Sequence, residues 1–323
     1  MAGMRLVVAE GEVLEQILGE SHGIWADGLT LRSYRQYNLA QLRTAWGARH
    51  LQRYALLDGS GAVLTSAKSY ELRARVDGRE VDAVGIGAVY TPAQQRGRGH
   101  AATIINRLVS DAASRGAELA ILFSEIGSAY YERLGFTPVP RREFLFSVVE
   151  KKGAPMTLVR TGEERDMPAV AALAAAMSMH TRFAIGQSED YVRYGLSRKR
   201  LLAGLLPPGA LTVEFFIVEE GISAVAFAIL TTAGDDVVLE MCGDRDPAGA
   251  RVGALLQVLR ARTPSESALR VRGSLPPGWL PPQMQVEASA VAPDLFMVKP
   301  LGKNLLSRPL GTADILYWHG DLL

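Results

Sequence analysis

The stretch VYTPAQQRGRGHA, Val89 to Ala101, constrains this chain more than any other segment, because a strand has to end in it and a helix has to begin there. Val84, Ile86, Ala88 and Tyr90 alternate as one face of a strand. Ala101, Ile104, Ile105, Leu108, Val109 and Ala112 then recur at the three- and four-residue spacing of a buried helical stripe, and Arg115 and Gly116 supply a stop. An apolar run of strand length, Leu119 to Phe123, follows. The first amides of a helix lack intrahelical acceptors and sit at the positive end of its dipole, so a loop leading into them is an anion site. Gly97 and Gly99 permit close backbone approach, while Arg96 and Arg98 add guanidinium groups that grip phosphate oxygens in pairs. The expected local order is strand, phosphate loop, helix, strand.

Arg96, Gly99 and Ala101 fit the pattern Arg or Gln, two residues, Gly, one residue, Gly or Ala, and YYERLGF (Tyr130 to Phe136) comes one helix and one strand later. In that order the two motifs resemble the acetyl-CoA loop and the following motif of the GCN5-related N-acetyltransferases, the GNAT superfamily. A lone RGRG would read as a surface turn; the ordered pair is far more specific. The resemblance implies an α/β (α+β) fold with a mixed, mostly antiparallel sheet flanked by helices, acetyl-CoA as acyl-donor co-substrate, and no metal. It implies that the backbone of Ala88, Val89 and Tyr90 pairs with the pantetheine arm. Arg96, Gly97, Arg98, Gly99, His100 and Ala101 would hold the pyrophosphate, with the His100 side chain facing outward. Tyr131, four residues before Gly135, would be the general acid that protonates the leaving thiolate. Many members place an asparagine seven residues before that tyrosine; this chain has Ser124, with a shorter reach toward pantetheine. The general base is not legible: Glu71, on the strand expected over Ala62 to Val76, and Glu125, just past Phe123, are the acidic candidates, and each also reads as a solvated carboxylate.

Composition agrees with a globular enzyme. A chain of 323 residues, 48% hydrophobic and 21% charged, is comfortable as two domains. A formal net charge of +1 gives no reason to expect nucleic acid or an anionic membrane as partner, so the loop arginines read as local chemistry. The single cysteine, Cys242, excludes an internal disulfide and a zinc cluster of cysteines, and reads as a small buried residue. Acidic residues Glu10, Glu12 and Glu15 interrupt any leader-like core near the start, so a cytoplasmic protein is expected.

The motif-bearing part closes with a strand over Phe144 to Val149, and EKKGAP (Glu150 to Pro155) reads as a linker, dividing the chain into domains at 1–150 and 156–323. The second part starts afresh, with a strand at Thr157 to Arg160 and a capping box from Thr161 to Glu164 ahead of an alanine-rich helix through Met177. Strands at Val213 to Val218, Ser223 to Thr231 and Val237 to Cys242 and a helix carrying Val252, Leu255, Leu256 and Leu259 repeat the order of the first part. The repeat lacks the phosphate loop. Asp244 and Asp246 stand where an anion would want positive charge, and SLPPGWLPPQ (Ser274 to Gln283) replaces the tyrosine motif. The expected architecture is therefore two tandem GNAT-like domains, the second degenerate. The chain ends in DILYWHGDLL, Asp314 to Leu323, which reads as an edge strand with a snorkelling aromatic end. Tandem acetyltransferases of the enhanced intracellular survival type share this broad architecture.

In the resembling family the first seventy residues cover the acceptor groove. Here they bring Trp25, Tyr34, Tyr37, Trp46, His50 and Tyr54, which read as a wall for a cationic amine or as helix faces packed on the core. No acidic run exists to attract a polycation. The expected acceptor is a small or amino-acid-like primary amine, attacked directly in a ternary complex. A longer acyl-CoA, a protein acceptor and a non-catalytic acetyl-CoA-binding regulatory module are the alternatives; oligomeric state is not legible.

Overall fold

Alternating apolar residues build the sheets and three-to-four spacing builds the helices, in an order that the computed structural model gives for residues 3–149, 157–262, 268–279, 281–292 and 295–321. The first elements are β1 (Arg5–Val8), α1 (Gly11–Trp25), α2 (Leu31–Arg43), α3 (Gly47–His50), β2 (Leu51–Leu57), β3 (Val63–Val76) and β4 (Arg79–Tyr90). Then come α4 (His100–Ser114), β5 (Leu119–Ser124), α5 (Ala129–Glu132), β6 (Thr137–Val139), β7 (Arg142–Val148), β8 (Leu158–Thr161), α6 (Met167–Ser178), β9 (Phe183–Ile185) and α7 (Glu189–Leu205). The chain finishes with β10 (Thr212–Glu220), β11 (Ser223–Ala233), β12 (Asp236–Asp244), α8 (Ala250–Arg262), β13 (Arg270–Gly273), β14 (Met284–Val291), β15 (Leu295–Pro300) and β16 (Ile315–Leu316). Among the described residues no helix is long and apolar enough to cross a membrane.

Two compact units divide the chain: Met1–Val139 with Pro293–Pro309, and Pro140–Ala292 with Leu310–Leu322. In the first, the sheet order is β1-β2-β3-β4-β5-β15-β6. Neighbours are antiparallel except β4 and β5, which run parallel because α4 carries the chain back between them. Alternation sorts the two faces. Lys68 reaches Gln41 of α2, while its neighbour Ala67 joins Ile104, Ile105 and Leu108 of α4 in the apolar core of the other face.

The second unit repeats this plan in the order β8-β10-β11-β12-β13-β7-β14, again with one parallel pair, β12 and β13, joined through α8. Its core gathers Phe146, Phe215, Phe227, Leu255 and Trp318, and Cys242 is buried there as a small apolar residue.

Three expectations change. A boundary at 150 does not separate the sheets, since β7 pairs with β13 and β14 of the second unit while β15 inserts between β5 and β6 of the first. Alternation shows that a segment pairs but not with which strand, so chain order misassigned both. The proposed linker at Glu150 to Pro155 lies outside the described residues. The capping box forms two residues later than expected: the Glu163 side chain accepts the Asp166 amide and Asp166 Oδ2 accepts the Glu163 amide at 2.7 Å, leaving Thr161 to end β8. Finally, Ile315–Leu316 pairs in parallel with β9, and Tyr317 and Trp318 are buried rather than snorkelling.

Met297, fully buried on β15, ties this late strand to the first core. Met297→Ala is expected to cost about 2–5 kcal/mol in urea denaturation. A chain ending at residue 149 lacks β15 and is expected to show no cooperative unfolding transition by circular dichroism.

Candidate active site

Strand β4 is longer than its parallel partner can follow. Their ladder pairs Ala83 with Leu119 through Ile86 with Leu122 and stops, although β4 continues to Tyr90 and β5 to Ser124. Beyond that point β5 stays with β15 as far as the Ser124–Leu295 pair, while β4 stays with β3. A bulge drives the divergence: Lys68 opposes Gly87 and Ser66 opposes Tyr90, so Ala88 and Val89 together face Ala67. Ala88 adopts φ +45°, a left-handed conformation that an L-residue holds at a cost of about 1–2 kcal/mol. The backbone of residues 87–90 is thus turned out of the β5 ladder, with edge groups available to an extended ligand arm.

The loop over residues 91–99 carries the chain from that edge into α4. Thr65 Oγ1 donates to Tyr90 O at 2.8 Å and Arg96 Nε to Thr91 O at 3.1 Å, fixing its start. Gly97 and Gly99 both take positive φ, +75° and +79°, which turns successive amides outward. Among the described residues no acceptor lies within hydrogen-bond reach of the amides of Gly97, Arg98, Gly99, His100, Ala101 or Ala102, and the first turn of α4 holds no acidic side chain. Arg96 and Arg98 are exposed beside these donors.

The matching corner of the second unit is filled by its own carboxylates. Its loop spans only residues 245–249. Asp244 Oδ2 accepts the amides of Arg251 (2.8 Å) and Val252 (3.1 Å), and Oδ1 accepts that of Asp246 (2.8 Å). Asp246 Oδ1 accepts the Ala248 amide at 2.8 Å. Trp279, from the proline-rich segment, packs so closely on Gly249 that a Cβ there would lie 2.4 Å from the indole. Helix α8 therefore has no donors to spare for a ligand phosphate.

Tyr131 is buried beside Tyr130 and Phe136, with ring centroids 5.1 and 6.3 Å away. Burial, reinforced by Tyr130 and by Glu125, pushes its hydroxyl up to about 12. The sequence candidates part here. Glu125 lies on the Tyr131 side, whereas Glu71 sits 3.7 Å from Arg115 and 3.8 Å from His50. Arg115 caps the far end of the 15-residue α4, about 22 Å along the axis from the loop, so Glu71 is not brought to it. The Ser124 hydroxyl donates to Gly127 O at 2.7 Å and accepts the Ile126 amide, which spends it on the turn. Sequence reading missed Glu20: α1 places its Oε2 3.3 Å from the Tyr90 hydroxyl, and only the packing of α1 on the sheet reveals this. The aromatic set divides as well. Tyr34 and Trp46 are core residues, and Tyr54 packs on the α4 face.

Residues 32–139 match the family model of the acetyltransferase (GNAT) domain. The chain carries a GNAT domain. The fold of the chain is similar to that of several solved structures. One is a GCN5-related N-acetyltransferase from Anabaena variabilis, at 12% identity and TM-score 0.70, covering 93% of this chain and 73% of that one. Another, from Kribbella flavida, shares 16% identity at TM-score 0.67, over 92% and 70% of the two chains. A probable N-acyltransferase from Enterococcus faecalis gives 14% and 0.69, over 93% and 73%. No curated protein matches the sequence. The matched segment runs from residue 32 to Val139, so strands β1 and β15 of the same sheet lie outside it, before and after it in the chain.

Among the described residues no group of three or more His, Cys, Asp or Glu side chains is placed to hold a metal ion. A folded-state hydroxyl raised to about 12, against about 10 unfolded, keeps its proton throughout the neutral range. Its contribution to stability is complete below pH 10 and is lost as pH rises toward 12. Ultraviolet titration of tyrosinate is expected to show a late step near pH 12 that Tyr131→Phe removes.

Proposed function

We propose that the GNAT domain is an N-acetyltransferase that takes acetyl-CoA as acyl donor and acetylates a primary amine on a small or amino-acid-like acceptor by direct attack. One observation carries this reading: open amides at the start of α4 directly follow a strand edge released from its ladder, whereas the repeated corner in the second unit is closed by Asp244. The amides of residues 97–102, with Arg96 and Arg98, would hold the pyrophosphate, and the Ala88–Tyr90 backbone would pair with the pantetheine arm. Bound acetyl-CoA supplies an activated thioester. Tyr131 keeps its hydroxyl proton at neutral pH and holds it for the leaving group. Glu125, which acts on the Tyr131 hydroxyl, and Glu20, 3.3 Å from the Tyr90 hydroxyl, would accept the proton an ammonium acceptor must lose, directly or through water. The second unit reads as a GNAT-like repeat that has exchanged donor binding for a self-satisfied helix cap.

Thiol release by the full chain, supplied with acetyl-CoA and a panel of amino acids, polyamines, aryl amines and peptides, tests the reading. Tyr131→Phe is expected to lower kcat about 10²–10⁴-fold while CoA affinity stays close to that of the native chain. Gly99→Val puts a β-branched residue at φ +79° beside the cradle and is expected to weaken CoA binding in calorimetry at least about tenfold, about 1.4 kcal/mol. Tight CoA binding without release from any acceptor would favour the regulatory-module alternative.

A further inference from the structure

Arg53, in the middle of β2, is only 3% exposed, yet neither Nη1 nor Nη2 has a hydrogen-bond partner. Two buried guanidinium nitrogens without an acceptor are costly, and here burial pulls the arginine pKa down from its ordinary value. Tyr34 of α2 and Tyr70 of β3 are the titratable groups that act on it, neither of them ionised at neutral pH, and its cross-strand partner is Lys68. A second orphan lies beside it. Ser66 is fully buried, and its Oγ also lacks a partner.

Sheet register puts these two orphans on the face that α2 covers and in line with the divergence of β4. Arg53 pairs with Lys68 and Lys68 with Gly87; in the next row Ala55 pairs with Ser66 and Ser66 with Tyr90. Directly paired residues share a face. At the usual spacing of adjacent strands, Arg53 lies about 10 Å across the sheet from Gly87, the last residue before the bulge. Gly85 and Gly87 present no side chain on this face, and the intervening Lys68 is turned to Gln41. The fork of a guanidinium matches the two oxygens of a carboxylate, and a hydroxyl beside it can donate a third bond.

We propose that Arg53 and Ser66 form a carboxylate subsite of the acyl-transfer centre, which recognises a carboxylate on one of the two substrates, about 10 Å across the sheet from Gly87. The inference rests on the acetyltransferase reading of the same cleft. An amino-acid acceptor brings such a carboxylate on the nucleophile; a dicarboxylic acyl-CoA brings it on the donor.

The test uses the full chain in two arms. In the first, thiol release from acetyl-CoA is compared for L-lysine, lysinamide and cadaverine; in the second, release from succinyl-CoA and butyryl-CoA is compared with cadaverine as acceptor. One arm is expected to favour the carboxylate at least about tenfold in kcat/KM, and Arg53→Met to abolish that ratio while Arg53→Lys retains part of it. Ratios near one in both arms with the native chain overturn the subsite while leaving the acetyltransferase intact, as does a ratio that survives Arg53→Met in a folded variant. If no pair releases thiol, the acetyltransferase reading fails and the subsite is decided by thermal unfolding alone. Lysine or succinate is then expected to raise Tm of the native chain but not of Arg53→Met, and an absent or Arg53-independent shift overturns it.

Discussion

The separation of β4 from β5 is the constraint around which the first unit's sheet is arranged. A parallel pair needs a crossover, and α4 supplies it, so the helix that begins beside β4 also decides where β5 starts. Past Ile86 and Leu122 the two strands obey different neighbours: β5 follows β15, and β4 follows β3 into a bulge at Ala88. The left-handed Ala88 is held by fully formed ladders before it, and the backbone beyond it leaves the β5 ladder. Everything proposed for the site, from the amide cradle to the orphaned Arg53, is arranged around that opening.

The two units show how one architecture either leaves bare or closes the amides at a helix start. Both have a helix starting at the end of a parallel pair. In the first, positive-φ glycines and a loop without acidic side chains leave the amides bare; in the second, Asp244 satisfies three of them and Trp279 covers the glycine. The second unit spends its other charges on itself in the same way. Glu240 is buried, which opposes its ionisation, yet His319 at 3.3 Å, Lys199 at 2.9 Å and Thr231 at 2.6 Å hold its carboxyl down to about 2. A charge so thoroughly paired is structural, and Arg53, which lacks such pairing, is therefore conspicuous by contrast.

Local pattern carried much of the fold. The stripe from Ala101 to Ala112 and the strand before it were legible because period and glycine placement are properties of short segments. The candidate residues fared unevenly for the same reason. Tyr131 and the loop amides carry sequence motifs, and the structure buries the one and leaves the others without acceptors, while Glu71, chosen for its residue type on a strand, faces Arg115. Glu20 and Arg53 carry no motif at all. Their roles depend on what α1 and α2 lay over the sheet, and no spacing in the chain encodes that.

What the sequence determined by itself was the strand, loop, helix and strand over residues 84–123, and the contrast between a first loop without acidic side chains and a second flanked by Asp244 and Asp246, since each follows from neighbours a few residues apart. What only the tertiary structure decided was which strand completes which sheet, which carboxylates come close to Tyr90 and Tyr131, and which guanidinium is buried with both terminal nitrogens unbonded. Strand pairing and burial join residues more than a hundred positions apart, as Phe296 with Phe123 and Val271 with Phe146 show, and hydrogen bonds of that range are fixed by packing rather than by local propensity.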